Sequence, residues 1–585
     1  MRRHEFFNRL SDTDKPISAI DWYIIAGFGF IGFIEVLDWP YAIFGGDAGV
    51  YADLAAGWMW PERYGGDPLI GDPASSGPYI TIIIVPILMA MSVIFDNSIF
   101  AAFVLIIPLI CLQGSGLYFL GRYVFGTRLQ GFALACATLV AVPHTDWQLY
   151  STVLPRFIFQ AYFPFLLLAF LHWAPKPKNW IWLMAGAGLG FYIDPVSAPP
   201  VGFACCMSLF AFYPHATGRW RIFGRQIGSG FAFLAISIPF ALAYKIFAGT
   251  MEAVSFADAT VARQSLGYTY YGIFNWLSHG YGNWIALSVV IGGAAGFAAT
   301  WYFEPHRWAQ MKFFAAWLGG LWFVAVPLVW LESELAASLE YQALLTQAIG
   351  GTRYTIPIAL LFLVNGLFIV GGRVNFGPAA KHSPIAVLSN GGAVLSIIFM
   401  LIFTHSVKFY GHQPWLTHWY QFVPFLRTTH CWVHGDPLCA RNDVQLIFEP
   451  LDFLRNNIEP NTPVLPLLSP TRTPDSQNGM SSAIRHYARL PVVYNDNDFG
   501  PLLLYGTRKG SYGWREWQKI NRQVQGLSTI KSISEKTKSA IELANSLSAK
   551  LLIIDFPIAT AALGKGNAVV FQNARFKIIA IGRSK

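Results

Sequence analysis

Apolar runs near the length that crosses a bilayer as a helix, roughly 20 residues, recur along the first 404 positions, with short polar stretches between them. They predict helices at about 20–37, 99–121, 129–143, 157–173, 180–194, 196–213, 226–247, 283–303, 313–331, 355–372 and 385–404, about 11 transmembrane helices in all. The runs 129–143 and 180–194 are short, so they need tilt, snorkelling flanks or a cavity-lining break. After residue 405 the pattern changes. Helix-like stretches there alternate with short β-rich runs at Pro463–Leu468, Leu551–Asp555, Val569–Gln572 and Phe576–Ile581. Ala540, Ile541, Ala544 and Leu547 fall on one face at helical spacing. The pattern therefore predicts two domains, a polytopic α-helical membrane domain over 1–404 and an α/β domain over 405–585.

The run 79–95 would be a twelfth crossing on hydropathy, and charge decides against it. If it stays on one side, one face collects Arg2, Arg3, Arg9, Lys15, Arg122, Arg128, Lys176, Lys178, Arg219, Arg221, Arg225, Arg307, Lys312, Arg373 and Lys381. The short loops of the other face keep Arg63, Arg156, Arg263, Arg353 and Lys245. Excess Lys and Arg mark the cytoplasmic side. The expected arrangement has a cytoplasmic N-terminus, a long first external loop (38–98) with a re-entrant or interfacial 79–95, and an extracytoplasmic C-terminal domain. The start MRRHEFFNRLSDTDKP lacks the features of a cleavable signal, so the first apolar run is expected to remain as a helix.

Composition narrows the class further. Hydrophobic residues make up 54% and charged residues 12% of the 585 positions, far from a soluble globular chain with about 25% charge. This excludes a large soluble enzyme, a disordered chain and a nucleic-acid-binding protein, and the net charge of +9 reads as loop charge. Membrane lipids are the expected surroundings. Of six cysteines, Cys111, Cys136, Cys205 and Cys206 sit in apolar runs as small hydrophobes. Cys431 and Cys439 flank a polar segment and bridge if that segment faces an oxidising compartment.

Candidate chemistry gathers on the predicted external side. Acids beside a membrane are expensive to keep and are functional candidates by default. Asp47 follows Gly45-Gly46 and precedes Tyr51, Ala55 and Met59 at helical spacing, so it is either a site residue or a helix N-cap. Asp67 and Asp72 each precede Pro and read as turn residues. The same turn reading applies to Asp194 before Pro195. His144 and Asp146, in Pro-His-Thr-Asp, could ligate a divalent ion such as Mg or Mn together with Asp47, or cap a helix.

One helix, then a long loop with Asp47-Ala48-Gly49-Val50-Tyr51, an apolar amphipathic run and a return helix ending near Arg122 resembles the GT-C superfamily. These are polytopic glycosyltransferases that use polyprenyl-phosphate-linked sugars. The resemblance implies that the chain transfers a sugar from such a donor lipid to an acceptor on the extracytoplasmic face of a bacterial cytoplasmic membrane. It implies Asp47 as the catalytic carboxylate, the base for the acceptor hydroxyl, with Tyr51 beside it in the substrate site. The family often has a second acid where this chain has Ala48. Arg353, in Gly-Gly-Thr-Arg-Tyr before an apolar helix, matches an arginine set against the lipid phosphate, and Arg156 is a second candidate on the same side. A planar guanidinium suits that task because it binds phosphate in a bidentate fashion, and interfacial snorkelling is the competing account.

Two other readings stand beside it: a non-catalytic subunit of an envelope assembly derived from the same architecture, and a lipid or sugar transporter. The chain has no paired broken helices of the kind inverted-repeat transporters carry. It also lacks a phosphate-binding loop, a nucleophile elbow and an HExxH motif.

Overall fold

The computed structural model describes residues 17–37, 46–71, 83–96, 98–141, 154–213, 219–248, 251–252, 257, 260, 284–340, 346–373, 441–468, 475–498, 507–508 and 513–582. Each predicted apolar run inside this set is helical. In chain order the helices are α1 (Ala19–Leu37), α2 (Gly46–Met59), α3 (Ile84–Phe95), α4 (Ser98–Phe125), α5 (Arg128–Ala141), α6 (Pro155–Trp173) and α7 (Trp180–Ile193). They continue with α8 (Ala198–Ser208), α9 (Arg219–Ala248), α10 (Trp284–Phe303), α11 (Trp308–Phe323), α12 (Val329–Leu339) and α13 (Thr355–Arg373). A π-helical turn at Val324–Leu328, built around Pro327, joins α11 to α12 without interrupting the rod. The expected helix 385–404 lies outside the described residues, as do Cys431 and Cys439.

Among the described residues, six helical stretches are long and apolar enough to cross a membrane: Val104–Phe125, Pro155–Trp173, Trp220–Ala243, Ala286–Phe303, Pro305–Leu339 and Ala348–Val370. Shorter apolar helices accompany them at Ala19–Phe33, Ile84–Phe95 and Ala198–Phe212. Helices α5 and α7 have 14 residues each, about 21 Å at 1.5 Å per residue, less than the ~30 Å hydrocarbon core. At α9 the helix begins earlier than the apolar pattern suggested and takes in Arg219, Arg221 and Arg225. Long cationic stems lie along a helix while their heads stay in water, so they do not end it.

Side-chain contacts give the helix directions. Helices α1 and α4 run antiparallel: the Asp21 carboxylate meets Arg122, the Ile25 carbonyl meets the Cys111 thiol, and Gly32 lies against Ile107. Helices α4 and α6 run parallel, with Gly116 against Phe165 and the Tyr123 hydroxyl facing the Leu171 carbonyl. Helices α10 and α13 are also parallel. Gly293 faces Ala359, Gly296 faces Phe362, and Asn365 donates to Thr300 at 2.9 Å and to Glu304 at 3.0 Å.

These directions sort the chain into two ends. One end is basic. There the buried Asp21 accepts from Arg122 at 2.9 Å, from Arg128 at 3.0 Å and from the Tyr118 hydroxyl, tying α1, α4 and α5 together. Arg307, paired with Glu304 at 2.8 Å, donates to the carbonyls of Val124 and Phe125 that end α4. The opposite end holds the starts of α4, α6, α8 and α13 and the ends of α1 and α7. Because α1 and α4 are antiparallel neighbours, the segment 38–97 between them leaves and rejoins the bundle at that opposite end.

Beyond residue 441 the chain forms a three-layer α/β/α unit. Its strands are β2 (Val464–Leu467), β4 (Leu551–Ile554), β5 (Ala568–Gln572) and β6 (Lys577–Ala580), close to the four runs expected from sequence. They are ordered β2-β4-β6-β5, with β2 parallel to β4 and the other pairs antiparallel. Every residue of β2 and β4 is buried, as a strand covered on both faces requires. Leu465, Leu552 and Ile579 face α16 (Trp514–Thr529) and α17 (Ile533–Ser546). Val464, Ile553 and Ile578 face α14 (Arg441–Asn457) and α15 (Asp475–Ala483). A short ribbon of β1 (Met251–Glu252) and β3 (Thr507–Arg508) links the segment after α9 to this unit.

The α10–α13 seam is tightest at Gly296, where a Cβ would come within 2.0 Å of the Phe362 carbonyl oxygen. Gly296→Ala is expected to lower stability by about 1–3 kcal/mol through overpacking. Gly230→Ala in α9, where a Cβ meets nothing within 4 Å, is expected to be neutral. Thermal unfolding of the detergent-purified variants measures both, and an unchanged melting temperature for Gly296→Ala would contradict the close packing described.

Candidate functional site

Helix α2 is built from small residues, and Ala52, Ala55 and Ala56 are buried. That composition lets it wedge between the bundle and α15. Gly57 sits against Ile70 so closely that a Cβ there would come within 2.8 Å of the Ile70 side chain. Buried on the α2 surface is Asp53, and the turn that follows brings in Tyr64 and Asp67, both buried. Asp67 performs the turn role expected of it, since its Oδ1 accepts from the backbone N–H of Leu69 at 2.9 Å and of Ile70 at 3.1 Å. Its carboxylate also does something the sequence did not announce.

Arg485 enters this pocket of acids from the π-helical turn Ile484–Ala488 that follows α15, and it is wholly buried. Its Nε donates to Asp67 Oδ2 at 2.9 Å and its Nη2 to Asp67 Oδ1 at 3.0 Å. Nη1 and Nη2 donate to the two oxygens of Asp498, each at 2.7 Å. The remaining Nη1 hydrogen goes to Asp53 Oδ2 at 3.2 Å. A guanidinium has five N–H donors, and all five are used. Around this centre, Val492 N–H donates to Asp67 at 2.8 Å, the Ser482 hydroxyl to Asp53 at 3.1 Å, and the Tyr64 hydroxyl to the Arg485 carbonyl at 2.6 Å.

Three carboxylates on one guanidinium, all away from water, cannot comfortably all be ionised. Burial pushes Asp498 up to about 6; Arg485 opposes this and the neighbouring Asp67 and Asp53 add to it. Burial raises Asp53 as well, against the pull of His486 and Arg485. His486 Nδ1 lies 3.1 Å from Asp53 Oδ1, and its Nε2 has no hydrogen-bond partner among the described residues. Tyr64 is raised by burial and by the nearby Asp53 and Asp67, so its hydroxyl stays a donor.

A second, more exposed tie lies alongside. Asp96, after α3, pairs with Arg455 at 2.8 Å and with Arg489. The Arg489 guanidinium also lies 3.8 Å from the Trp60 ring centroid. Asn461 accepts from Gly65 N–H at 2.9 Å and donates to the Glu62 carbonyl at 2.6 Å. Such exposed pairs contribute little individually, which leaves the buried cluster as the main polar tie between α2, its turn and the sheet unit.

The residues singled out from sequence fall into three groups. Asp47 lies in the first turn of α2, and its side chain is outside the described residues; Tyr51, one turn on, is half-buried against the bundle core. His144, Asp146 and Asp72 lie outside the described residues. Arg353 lies at the end of the 3₁₀ segment Thr346–Tyr354, with its Nε donating to the Gly350 carbonyl at 2.6 Å. Arg156 sits in the first turn of α6 beside the Phe157 ring. Arg156, Arg353 and Asp194 each lie within electrostatic reach of the buried Tyr354 hydroxyl. Asp194 Oδ1 accepts from Val196 N–H at 3.2 Å, the turn role expected of it. Among the described residues, no group of three or more His, Cys, Asp or Glu side chains is placed to hold a metal ion.

No protein-family model matches the chain, and no curated protein matches it. Among solved structures, it is similar to the crystal structure of the Archaeoglobus fulgidus oligosaccharyltransferase in complex with zinc and sulfate. The TM-score is 0.39 at 14% identity, covering 91% of this chain and 68% of that one. At that score no residue correspondence and no role passes from one chain to the other.

The buried cluster makes a signed prediction. The unfolded chain releases the Asp498 proton near 3.8, whereas the folded chain holds it to about 6. The stability this group contributes is therefore full below the unfolded value and is lost as pH rises through about 6. The gap in melting temperature between wild type and Asp498→Asn is expected to change between pH 4 and pH 7, with wild type losing ground as pH rises. A constant gap across that range would mean that Asp498 titrates normally in the folded state.

Proposed function

We propose that the chain is a membrane glycosyltransferase that moves a sugar from a polyprenyl-phosphate carrier to an acceptor hydroxyl, at the bundle end that bears α2 and the sheet unit. The observation that carries this reading is the convergence at one end. The acid-led helix α2, Arg156, Arg353 and the folded C-terminal unit all lie opposite the basic end. The positive-inside rule makes the basic end cytoplasmic, so the site faces the extracytoplasmic side of a bacterial cytoplasmic membrane and the N-terminus is cytoplasmic. The division into a membrane domain over 1–404 and an extracytoplasmic domain over 405–585 belongs to the same proposal, as does the count of eleven crossings.

In this reading Asp47 takes the proton of the acceptor hydroxyl as its oxygen bonds to the sugar C1. The C1–O bond to the carrier phosphate breaks, and the phosphate leaves on the lipid with the electron pair. Arg353 and Arg156 hold that phosphate before and after the step, a task suited to a planar fork of donors. Tyr51 lines the approach from the next turn of α2. A divalent ion held by Asp47, His144 and Asp146 would add charge at the leaving phosphate when bound; no step here depends on it.

One substitution separates the catalytic role of Asp47 from a capping role. Asp47→Asn keeps size and most capping capacity but cannot accept the proton, so turnover is expected to fall by roughly two to four orders of magnitude with the melting temperature kept. Full transfer by Asp47→Asn would remove Asp47 from the chemistry. No transfer by wild type with any carrier offered would favour a non-catalytic subunit.

Orientation has its own test. Lys538 on α17 is well exposed, with its side chain 73% accessible. A Lys538→Cys variant is expected to react with a membrane-impermeant thiol reagent in intact cells, and labelling only after lysis would reverse the assignment of faces.

A further inference from the structure

Helix α6 turns one face toward Tyr354. Phe159 and Phe163 pack on that ring with centroids 5.6 and 4.8 Å away. Arg156 and Gln160 complete the same i, i+3, i+4, i+7 stripe. Gln160 is fully buried, yet neither its amide nitrogen nor its amide oxygen has a hydrogen-bond partner among the described residues. Asp194, 4% exposed and within electrostatic reach of the same Tyr354 hydroxyl, is in a similar state: its Oδ2 has no partner among them.

Buried polar atoms are nearly always bonded, because leaving one unmet costs about 1–3 kcal/mol. Here two donors and two acceptors stand unmet among the described residues: those of Gln160, one turn along α6 from Arg156, and that of Asp194, which with Arg156 and Arg353 lies within electrostatic reach of the Tyr354 hydroxyl. An apolar residue at 160 would remove the penalty there, and Asn at 194 would keep the turn bond to Val196 N–H without a second buried charged oxygen, so a role that needs the polar atoms is the economical explanation. A ligand that matches this set carries an anionic group for the arginines and several hydroxyls for the amide and the carboxylate. A sugar phosphate has both.

We propose that Gln160 and Asp194 bind the hydroxyls of the donor sugar and so set which sugar is accepted. The proposal rests on the donor reading given above. The Asp194 carboxylate, as a charged acceptor, is the stronger of the two contacts.

The test measures affinity of the detergent-purified full chain for farnesyl phosphate and for farnesyl-phosphate-linked glucose, galactose, mannose and arabinose. Wild type is expected to bind at least one glycosylated probe more tightly than the bare phosphate. For that probe, Gln160→Leu is expected to lose about tenfold and Asp194→Asn about tenfold to a hundredfold, with farnesyl phosphate affinity unchanged in both. Gln160→Leu is also expected to keep or raise the melting temperature, because it removes an unmet amide. Should that variant fail to fold, Gln160→Met repeats the test with a near-isosteric apolar chain. Equal loss of bare and glycosylated probes, or no loss of either, overturns the sugar-binding role. If wild type binds all probes alike and Arg353→Ala abolishes that binding, the carrier-phosphate reading stands and the sugar-binding role falls. If wild type binds none of them, the donor reading falls as well.

Discussion

The Arg485 guanidinium is the main buried polar tie between the C-terminal unit and the bundle. It meets one carboxylate from α2, one from the turn after α2 and one from its own unit, with every N–H engaged and no water access. The arrangement is asymmetric in energy. Replacing such a cluster wholesale by apolar residues can be neutral, whereas removing one partner strands the others and costs about 3–5 kcal/mol. What the cluster confers is geometric selectivity: a planar fork that bonds to two carboxylates in a bidentate fashion accepts one orientation of the unit and rejects those that rotate it.

That selectivity reaches the helix carrying the proposed base. Asp53 lies six positions after Asp47 on the same short helix, so fixing Asp53 fixes the axis along which Asp47 is presented. The bundle fixes the other half of the site separately. Arg156 stands on α6, whose Phe159 and Phe163 pack on Tyr354, the residue after Arg353. The proposed site thus rests on two supports, one ionic and one aromatic, at the same end of the bundle.

The helices and strands were legible because each depends on local pattern. A membrane-length apolar run can satisfy its backbone only as a helix, and the short apolar runs of β2 and β4 read as strands buried on both faces. The two ends of the bundle were legible from charge, as the pairing of Asp21 with Arg122 and Arg128 and the placement of Arg307 bear out. Asp67 was half legible: its proline neighbour announces the turn, but nothing near it announces Arg485. Asp53 and Arg485 are 432 positions apart, and no local signal distinguishes a buried acid awaiting a distant partner from a surface one. The same holds for Gln160, whose isolation depends on what α6 is packed against rather than on what surrounds it in the chain.

The parallel pairing of α10 with α13 has a consequence for biogenesis. Two neighbouring helices that point the same way cannot be consecutive, and here α11, α12 and the segment 340–354 intervene. During synthesis α10 must therefore enter the bilayer with its glycine face, Gly292, Gly293 and Gly296, turned toward lipid or toward the insertion machinery. It finds its partner only after some sixty further residues have emerged. The seam cannot form before α13 has been made, so its glycines act on a late contact of the chain.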